Sequence, residues 1–305
     1  MKVKIGINGF GRVGRGAFRA GFDNPNVEFV GINDITSANM KKTNVMRVCM
    51  KTVTQKKFFD FVSMRFLPIR YFKTTSSRIL SWIFFGKRIT DKGKNIPIPT
   101  FVCGVNIDKY DPELNRIISN ASCTTNCYAP VTKILDDAFG VKSGFMTTVH
   151  SFTTDQRILD LPHSDFRRAR AATLSMIPTS TGAAKAVGKV LPHLEGKLQA
   201  ISIRVPTPNV SLIDAVYILN KEVTKEEVNE KFVVAAEDSY TGILTTTDEP
   251  LVSIDYNGNP HSAIVDLQTT LCYSDQVKII AWYDNESGYA NRMIDLALYI
   301  NSKES

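Results

Sequence analysis

Val3-Lys4-Ile5-Gly6-Ile7-Asn8-Gly9-Phe10-Gly11-Arg12-Val13-Gly14 is the stretch on which the fold turns. Val3, Ile5 and Ile7 alternate as in a strand, Val13, Ala17 and Ala20 fall on one side of a helix, and Val27 to Ile32 forms a second apolar strand. Strand, helix, strand with G-x-G-x-x-G at the first junction is the opening of a Rossmann fold. Each glycine has a physical reason. Gly9 makes the tight turn, Gly11 lets the backbone approach a pyrophosphate, and Gly14 lets helix and strand pack closely. Arg12 and Val13 stand at the helix start, whose positive end attracts phosphate. Asp34 ends the second strand, where a carboxylate can accept ribose hydroxyls. Gly9, Gly11, Arg12, Val13, Gly14 and Asp34 are therefore the candidate dinucleotide contacts.

The pattern does not continue outward from Asp34. Between Ser37 and Thr100 stand 14 Lys or Arg against Asp60 and Asp91 alone, a charge of +12 in a chain whose net charge is +7, so the remainder is −5. A mildly acidic body carrying one basic stretch does not call for a nucleic-acid partner. Residues 37–100 show no clean period of 2 or 3.6, and poor local order is expected there. The apolar run from Ile79 to Phe85 is much too short to span a bilayer, so no membrane partner is expected. The chain has 305 residues, 43% of them hydrophobic, enough for a large core divided between two domains. Its first residues enter a strand directly, without the pattern of an export signal, which makes a cytoplasmic location the expectation. Five cysteines, an odd number, argue against a disulfide framework, and the Cys123 to Cys127 spacing with only four histidines suits no metal.

Order returns beyond residue 100. Thr100 to Val105 reads as a strand, and Ile117 to Asn120 leads into Ala121-Ser122-Cys123-Thr124-Thr125-Asn126-Cys127. Tyr128, Val131, Ile134, Leu135 and Ala138 make one apolar stripe that closes at Gly140, with Pro130 predicting a kink or a late start. A thiol at that helix start has hydroxyls, N–H groups and the positive end of a dipole around it, which favour thiolate over thiol. Phe145 to Val149 is a strand ending at His150, and Ser151 to Pro178 is a long, arginine-rich loop of functional character. Ile201 to Val205, Val210 to Ile218, Leu251 to Ile254 and Val277 to Trp282 alternate as antiparallel strands, with a helix from about Lys225 to Ala236 and another at the C-terminus. The fold class is α/β: a Rossmann-type domain plus an α+β domain on a mostly antiparallel sheet.

Seven motifs now carry a resemblance. They are Gly9 to Arg15, Asn33-Asp34, Ser122 to Cys127, Thr148 to Thr153, Pro178 to Lys185, Arg204 to Asn209, and Trp282-Tyr283-Asp284-Asn285-Glu286-Ser287-Gly288-Tyr289. Together, over residues 1–36 and 97–303, the chain resembles the phosphorylating glyceraldehyde-3-phosphate dehydrogenases. The resemblance implies NAD as cofactor, Cys123 as the nucleophile on an aldehyde, and His150 as its general base and ion-pair partner. It implies a thiohemiacetal, a thioester, and attack by inorganic phosphate to give an acyl phosphate. Ser122, Thr124, Thr181 and Gly182 resemble the site for inorganic phosphate, and Thr153 with Arg204 the site for the substrate's C3 phosphate. Asn285 resembles the residue that holds the nicotinamide carboxamide, with Tyr289 beside the ring. Asp34 favours NAD over NADP, and Leu161-Pro162 resembles the loop that reaches a neighbouring subunit's cofactor in a homotetramer.

The implied division is 1–120 for dinucleotide binding, 121–285 for catalysis, and 286–305 as a helix packing back on the first domain. Residues 37–100 depart from the family pattern and are shorter. Their composition has the character of out-of-frame translation, the alternative being a genuine basic insertion. Loss of middle strands would leave backbone groups unpaired, so weak NAD affinity or instability is expected. Two other functions stand beside the first. One is erythrose-4-phosphate dehydrogenase, which shares the cysteine and histidine. The other is a non-catalytic paralogue binding RNA or acidic lipid through the basic stretch.

Overall fold

The computed structural model describes residues 2–33, 82–83, 89–91, 94–96, 98–115 and 117–304. The poor order expected of 37–100 concerns a stretch that, apart from short strands and residues 98–100, lies outside the described residues. Asp34 lies outside them too.

β1 (Val3–Asn8) and β2 (Val27–Asn33) pair in parallel, joined through α1 (Arg12–Phe22). Phe18 packs between Phe22 and Phe29, ring centroids 4.8 and 4.9 Å away, in a small core completed by Phe10, Ile32 and Ile294. Ile294 belongs to α5 (Ser287–Glu304), which lies along α1. The approach is close because Gly16 and Gly21 face it. A Cβ on either would come within 3.1 Å of Ala290 or 3.0 Å of Ile294. Short strands follow: β3 (Trp82–Ile83), the hairpin of β4 (Ile89–Asp91) and β5 (Lys94–Ile96), and β6 (Ile117–Ile118), which pairs in parallel with β3.

The second part is one eight-stranded sheet. Its strands are β7 (Val141–Ser151), β8 (Ile177–Ser180), β9 (Leu198–Val205), β10 (Ser211–Leu219), β11 (Leu244–Thr247), β12 (Ala263–Asp266), β13 (Leu271–Tyr273) and β14 (Gln276–Tyr283). They run β11-β12-β14-β10-β7-β9-β8, with β13 on β14. Only β7 with β9 and β11 with β12 are parallel, so the sheet is mostly antiparallel. Strict alternation along β10 sends Ile213, Ala215, Tyr217 and Leu219 into the core. That face is covered by α2 (Cys123–Phe139) and flanked by α3 (Ala183–Val190) and α4 (Lys225–Glu237). Among the described residues no helix is long and apolar enough to cross a membrane.

Two local expectations fail for identifiable reasons, and of a third, the kink or late start at Pro130, the late start does not occur. Residues 101–105 are a turn, not a strand. The Asn106 side chain accepts from the Val102 N–H, and Gly104 takes φ +77°. Leu251 to Ile254 is not a strand either. The Asp255 carboxylate accepts from the Val252 N–H and curls Ser253–Tyr256 into a 3-10 turn, while the strands in that region are β11 and β12. Pro130 does not delay α2, which starts at Cys123 and runs to Gly140 at φ +69°.

Candidate active site

Cys123 opens α2, and Ser122 before it is the N-cap, its Oγ accepting from the Thr125 N–H at 3.2 Å. Ala121, just upstream, is held at φ +56°. This left-handed non-glycine residue marks a turn set by its surroundings. His150 sits near the end of β7 beside Arg204, its register partner on β9. The Sγ of Cys123 lies 3.5 Å from Nε2 of His150. On the other side of the ring, Nδ1 is 2.8 Å from Nη1 of Arg204 and 2.7 Å from the Ser151 carbonyl oxygen.

Burial moves the two members of the pair in opposite directions. Burial pushes the Cys123 thiol up from its ordinary value, outweighing the Arg204 charge and the Thr124 N–H and hydroxyl that pull it down. Burial, then the same Arg204 charge, pushes His150 down to about 3, against the Ser151 carbonyl. Burial thus shifts both the thiol and the imidazole toward their uncharged forms, against the ion pair that the resemblance implies.

Tyr283 ties the two arms of the pair together. Its buried hydroxyl is 2.9 Å from the Thr124 hydroxyl on α2 and 2.9 Å from that of Thr148 on β7, two residues before His150. Its ring meets the imidazole edge-on at 6.0 Å. Thr148 in turn donates to the Leu212 carbonyl. Sequence reasoning missed this role, although Tyr283 lies within a quoted motif and at a buried position of an alternating strand. The hydroxyl of Thr124, a candidate of the inorganic-phosphate site, is buried against Tyr283.

Asn285 is brought to the same pocket through Ser151. Its Oδ1 accepts from Ser151 Oγ at 2.9 Å and Ser211 Oγ at 3.0 Å, which fixes the amide with its NH2 end outward. Tyr289 donates to the Ala121 carbonyl at 3.3 Å. Thr153 leans on the buried Gln156, whose Oε1 accepts from the Thr153 N–H at 2.7 Å. Thr181 and Gly182 form the β8–α3 junction, where Gly182 caps α3 and Thr181 Oγ1 accepts from the Ala183 N–H. Arg168 connects these two places, pairing with Asp155 and donating to Thr179 Oγ1 at 2.8 Å. No hydrogen bond joins Thr153, Thr181 or Gly182 to the cysteine and histidine.

The glycine turn fits a dinucleotide. Gly9 has φ +93°, a Cβ on Gly9 or Gly11 would meet nothing within 4 Å, and one on Gly14 would strike the Gly9 carbonyl oxygen at 2.1 Å. Space for a phosphate is therefore open above Gly11, while the helix is pressed onto the strand at Gly14. No side chain caps α1, so its first N–H groups face that space, Val13 among them. The Arg12 guanidinium is committed elsewhere, pairing with Glu286 and donating to the Pro208 carbonyl.

A βαβ unit with an open glycine turn, joined to a mostly antiparallel sheet whose histidine and arginine meet a cysteine from the covering helix, defines a class of dinucleotide-binding α/β proteins. Residues 122–285 match the C-terminal domain of glyceraldehyde 3-phosphate dehydrogenase and residues 3–58 its NAD binding domain. The second match runs past residue 36, where the quoted N-terminal motifs end. The chain is 50% identical to glyceraldehyde-3-phosphate dehydrogenase 1 of Bacillus subtilis (strain 168), with 99% of each chain covered. It is 51% identical to a glyceraldehyde-3-phosphate dehydrogenase of Priestia megaterium and 47% to one of Geobacillus stearothermophilus, again over 99% of each. The chain belongs to the glyceraldehyde-3-phosphate dehydrogenase family.

Proposed function

We propose that this chain carries out the NAD-dependent oxidative phosphorylation of glyceraldehyde 3-phosphate to 1,3-bisphosphoglycerate, a step of glycolysis, through a thioester on Cys123. The observation that carries the reading is the 3.5 Å approach of Sγ to the His150 imidazole at a helix start, with a guanidinium on the ring's far side. The thiol proton passes to Nε2 as the sulfur attacks the aldehyde carbon, and Nε2 returns it to the alkoxide oxygen so formed, which leaves a thiohemiacetal hydroxyl and a neutral imidazole. His150 then takes the hydroxyl proton of the thiohemiacetal as that carbon is oxidised. NAD, when bound, supplies the hydride acceptor. Cys123 holds the acyl group until inorganic phosphate attacks it, seated by Ser122, Thr124, Thr181 and Gly182. Arg204 and Thr153 hold the C3 phosphate. NAD would be held by the NH2 end of Asn285 at its carboxamide, by Tyr289 at the nicotinamide and by Gly9 to Gly14 at the pyrophosphate, with Asp34 as the ribose contact of the same reading.

The domain division 1–120, 121–285 and 286–305 belongs to the same reading, supported by the packing of α5 on α1. So does a homotetramer, supported by Ile158, Leu161, Phe166, Leu174 and Met176, which stand exposed on the 151–178 loop. A cytoplasmic location suits an enzyme whose described cysteines are all free. The test is NADH formation by the full chain with glyceraldehyde 3-phosphate, with and without inorganic phosphate, and with erythrose 4-phosphate as the alternative aldehyde. Phosphate-dependent NADH formation that Cys123→Ala abolishes supports the reading. Its absence in the wild type overturns it, and a higher kcat/KM on erythrose 4-phosphate transfers it to that substrate.

A further inference from the structure

Asp284 stands between Tyr283, the last residue of β14, and Asn285, and it is only 2% exposed. A carboxylate so placed is costly unless donors surround it, and four do. Oδ1 accepts from the N–H groups of Glu286 and Ser287, both at 2.8 Å, so a hydrogen-bonded turn closes around Asn285 and caps the start of α5. Oδ2 accepts from Asn209 Nδ2 at 2.8 Å and from the Gly258 N–H at 2.7 Å, groups 75 and 26 residues away in the chain. The Ser287 hydroxyl donates to the Gly258 carbonyl at 3.0 Å, and a Cβ on Gly288 would strike the His261 carbonyl oxygen at 2.5 Å, so the loop from Gly258 to His261 is pressed onto the same helix start. Pro208, next to Asn209, accepts from Arg12, and Arg12 pairs with Glu286. One carboxylate therefore ties the turn that carries Asn285 to a loop that also holds the first residue of α1.

We propose that Asp284 is the positioning residue for Asn285: its carboxylate fixes the backbone from which the carboxamide-binding amide projects, as the Ser151 and Ser211 hydroxyls fix the amide itself. The proposal rests on the reading of Asn285 as the residue that holds the nicotinamide carboxamide. Two sets of bonds share the work. The serines hold Oδ1 of Asn285, while the Cα of Asn285 lies inside the turn that Asp284 closes. Capping α5 does not by itself call for a carboxylate, since Ser, Thr or Asn serve an N-cap as well. What calls for one is the second pair of donors, on Oδ2. An asparagine here would set its NH2 against the Asn209 NH2 and the Gly258 N–H, or against the first N–H groups of α5.

The test compares, by calorimetry on the full chain, NAD with ADP, which carries adenosine and pyrophosphate without nicotinamide. The isosteric Asp284→Asn is expected to weaken NAD binding roughly tenfold, the equivalent of about one hydrogen bond, with ADP within about twofold of wild type. Asn285→Ala, the control, is expected to do the same, and Asn209→Ala to weaken NAD by less, with ADP again unmoved. A merely structural role would weaken both ligands together. Equal weakening of NAD and ADP by Asp284→Asn, or no change in either, overturns the proposal while a selective loss of NAD in Asn285→Ala upholds the carboxamide assignment. Asn285→Ala without selective loss of NAD overturns that assignment and the proposal with it, as does absence of NAD binding by the wild type. Should Asp284→Asn not fold, Asn209→Ala decides: selective loss of NAD supports the proposal, and unchanged or equally weakened binding of both ligands overturns it.

Discussion

At Cys123 two influences oppose each other on one sulfur, and Arg204 is the charge that limits the cost of burial. Arg204→Gln removes it, so the pH midpoint of Cys123 alkylation by iodoacetamide is expected to rise, with roughly tenfold slower labelling at neutral pH. An unchanged midpoint would contradict the arrangement. His150 gives a prediction of opposite kind. Burial and Arg204 lower its folded value to about 3 from an ordinary 6.5, so between those values the unfolded chain binds more protons than the folded one. The stabilisation is complete above pH 6.5 and is lost progressively as the pH falls toward 3. Urea unfolding at pH 7.5, 6 and 5 should therefore show a steeper loss for wild type than for His150→Gln, whose amide does not titrate; parallel losses would mean that His150 is not held neutral. Cys123, His150 and Arg204 were legible from motifs. Tyr283 was not, because its two bonds reach 159 and 135 residues along the chain, and nothing in a linear pattern announces such a partner.

Elements place these residues, and the glycine turn separates packing from binding. Gly14→Ala would drive a Cβ into the Gly9 carbonyl oxygen, pushing α1 off β1 at a cost of about 1–3 kcal/mol, read as a lower midpoint in urea. Gly11→Ala meets no protein atom, so stability is expected to stay within about 0.5 kcal/mol of wild type while NAD affinity falls. Equal loss of stability in both variants would show that Gly11 is not the open face of the turn. Tyr283→Phe would strip the Thr124 and Thr148 hydroxyls of a shared partner between α2 and β7, costing about 1–3 kcal/mol in the same assay. The strands and helices themselves were largely readable, because β7, β10 and β14 alternate and the stripe of α2 repeats at helical spacing. The failures at 101–105 and 251–254 share a cause. In both, one short side chain, Asn106 or Asp255, captures a nearby backbone N–H, a bond that apolar periodicity does not register.

For the whole molecule, the basic stretch from Ser37 to Thr100 bears on cofactor binding. Titration calorimetry with NAD is expected to give weak affinity, and affinity of the order usual for dinucleotide enzymes would remove that expectation. A continuous, independently confirmed reading frame across codons 37–100 would remove the out-of-frame origin and leave a genuine insertion. The Arg12 pair with Glu286 and its bond to Pro208 join the glycine turn to the segment that carries Asn285, so cofactor and catalytic groups are positioned by one another. By itself the sequence determined the two-part α/β architecture, the family and the identity of the pocket's cysteine, histidine and arginine, because these are written in local spacing and in short contiguous motifs. Only the tertiary structure decided that burial opposes charge on both the thiol and the imidazole, that the Thr124 hydroxyl meets Tyr283, and that Arg204 and the Ser151 carbonyl both stand beside one ring nitrogen. Protonation depends on burial and on neighbours from other strands, and neither exists until the sheet has formed.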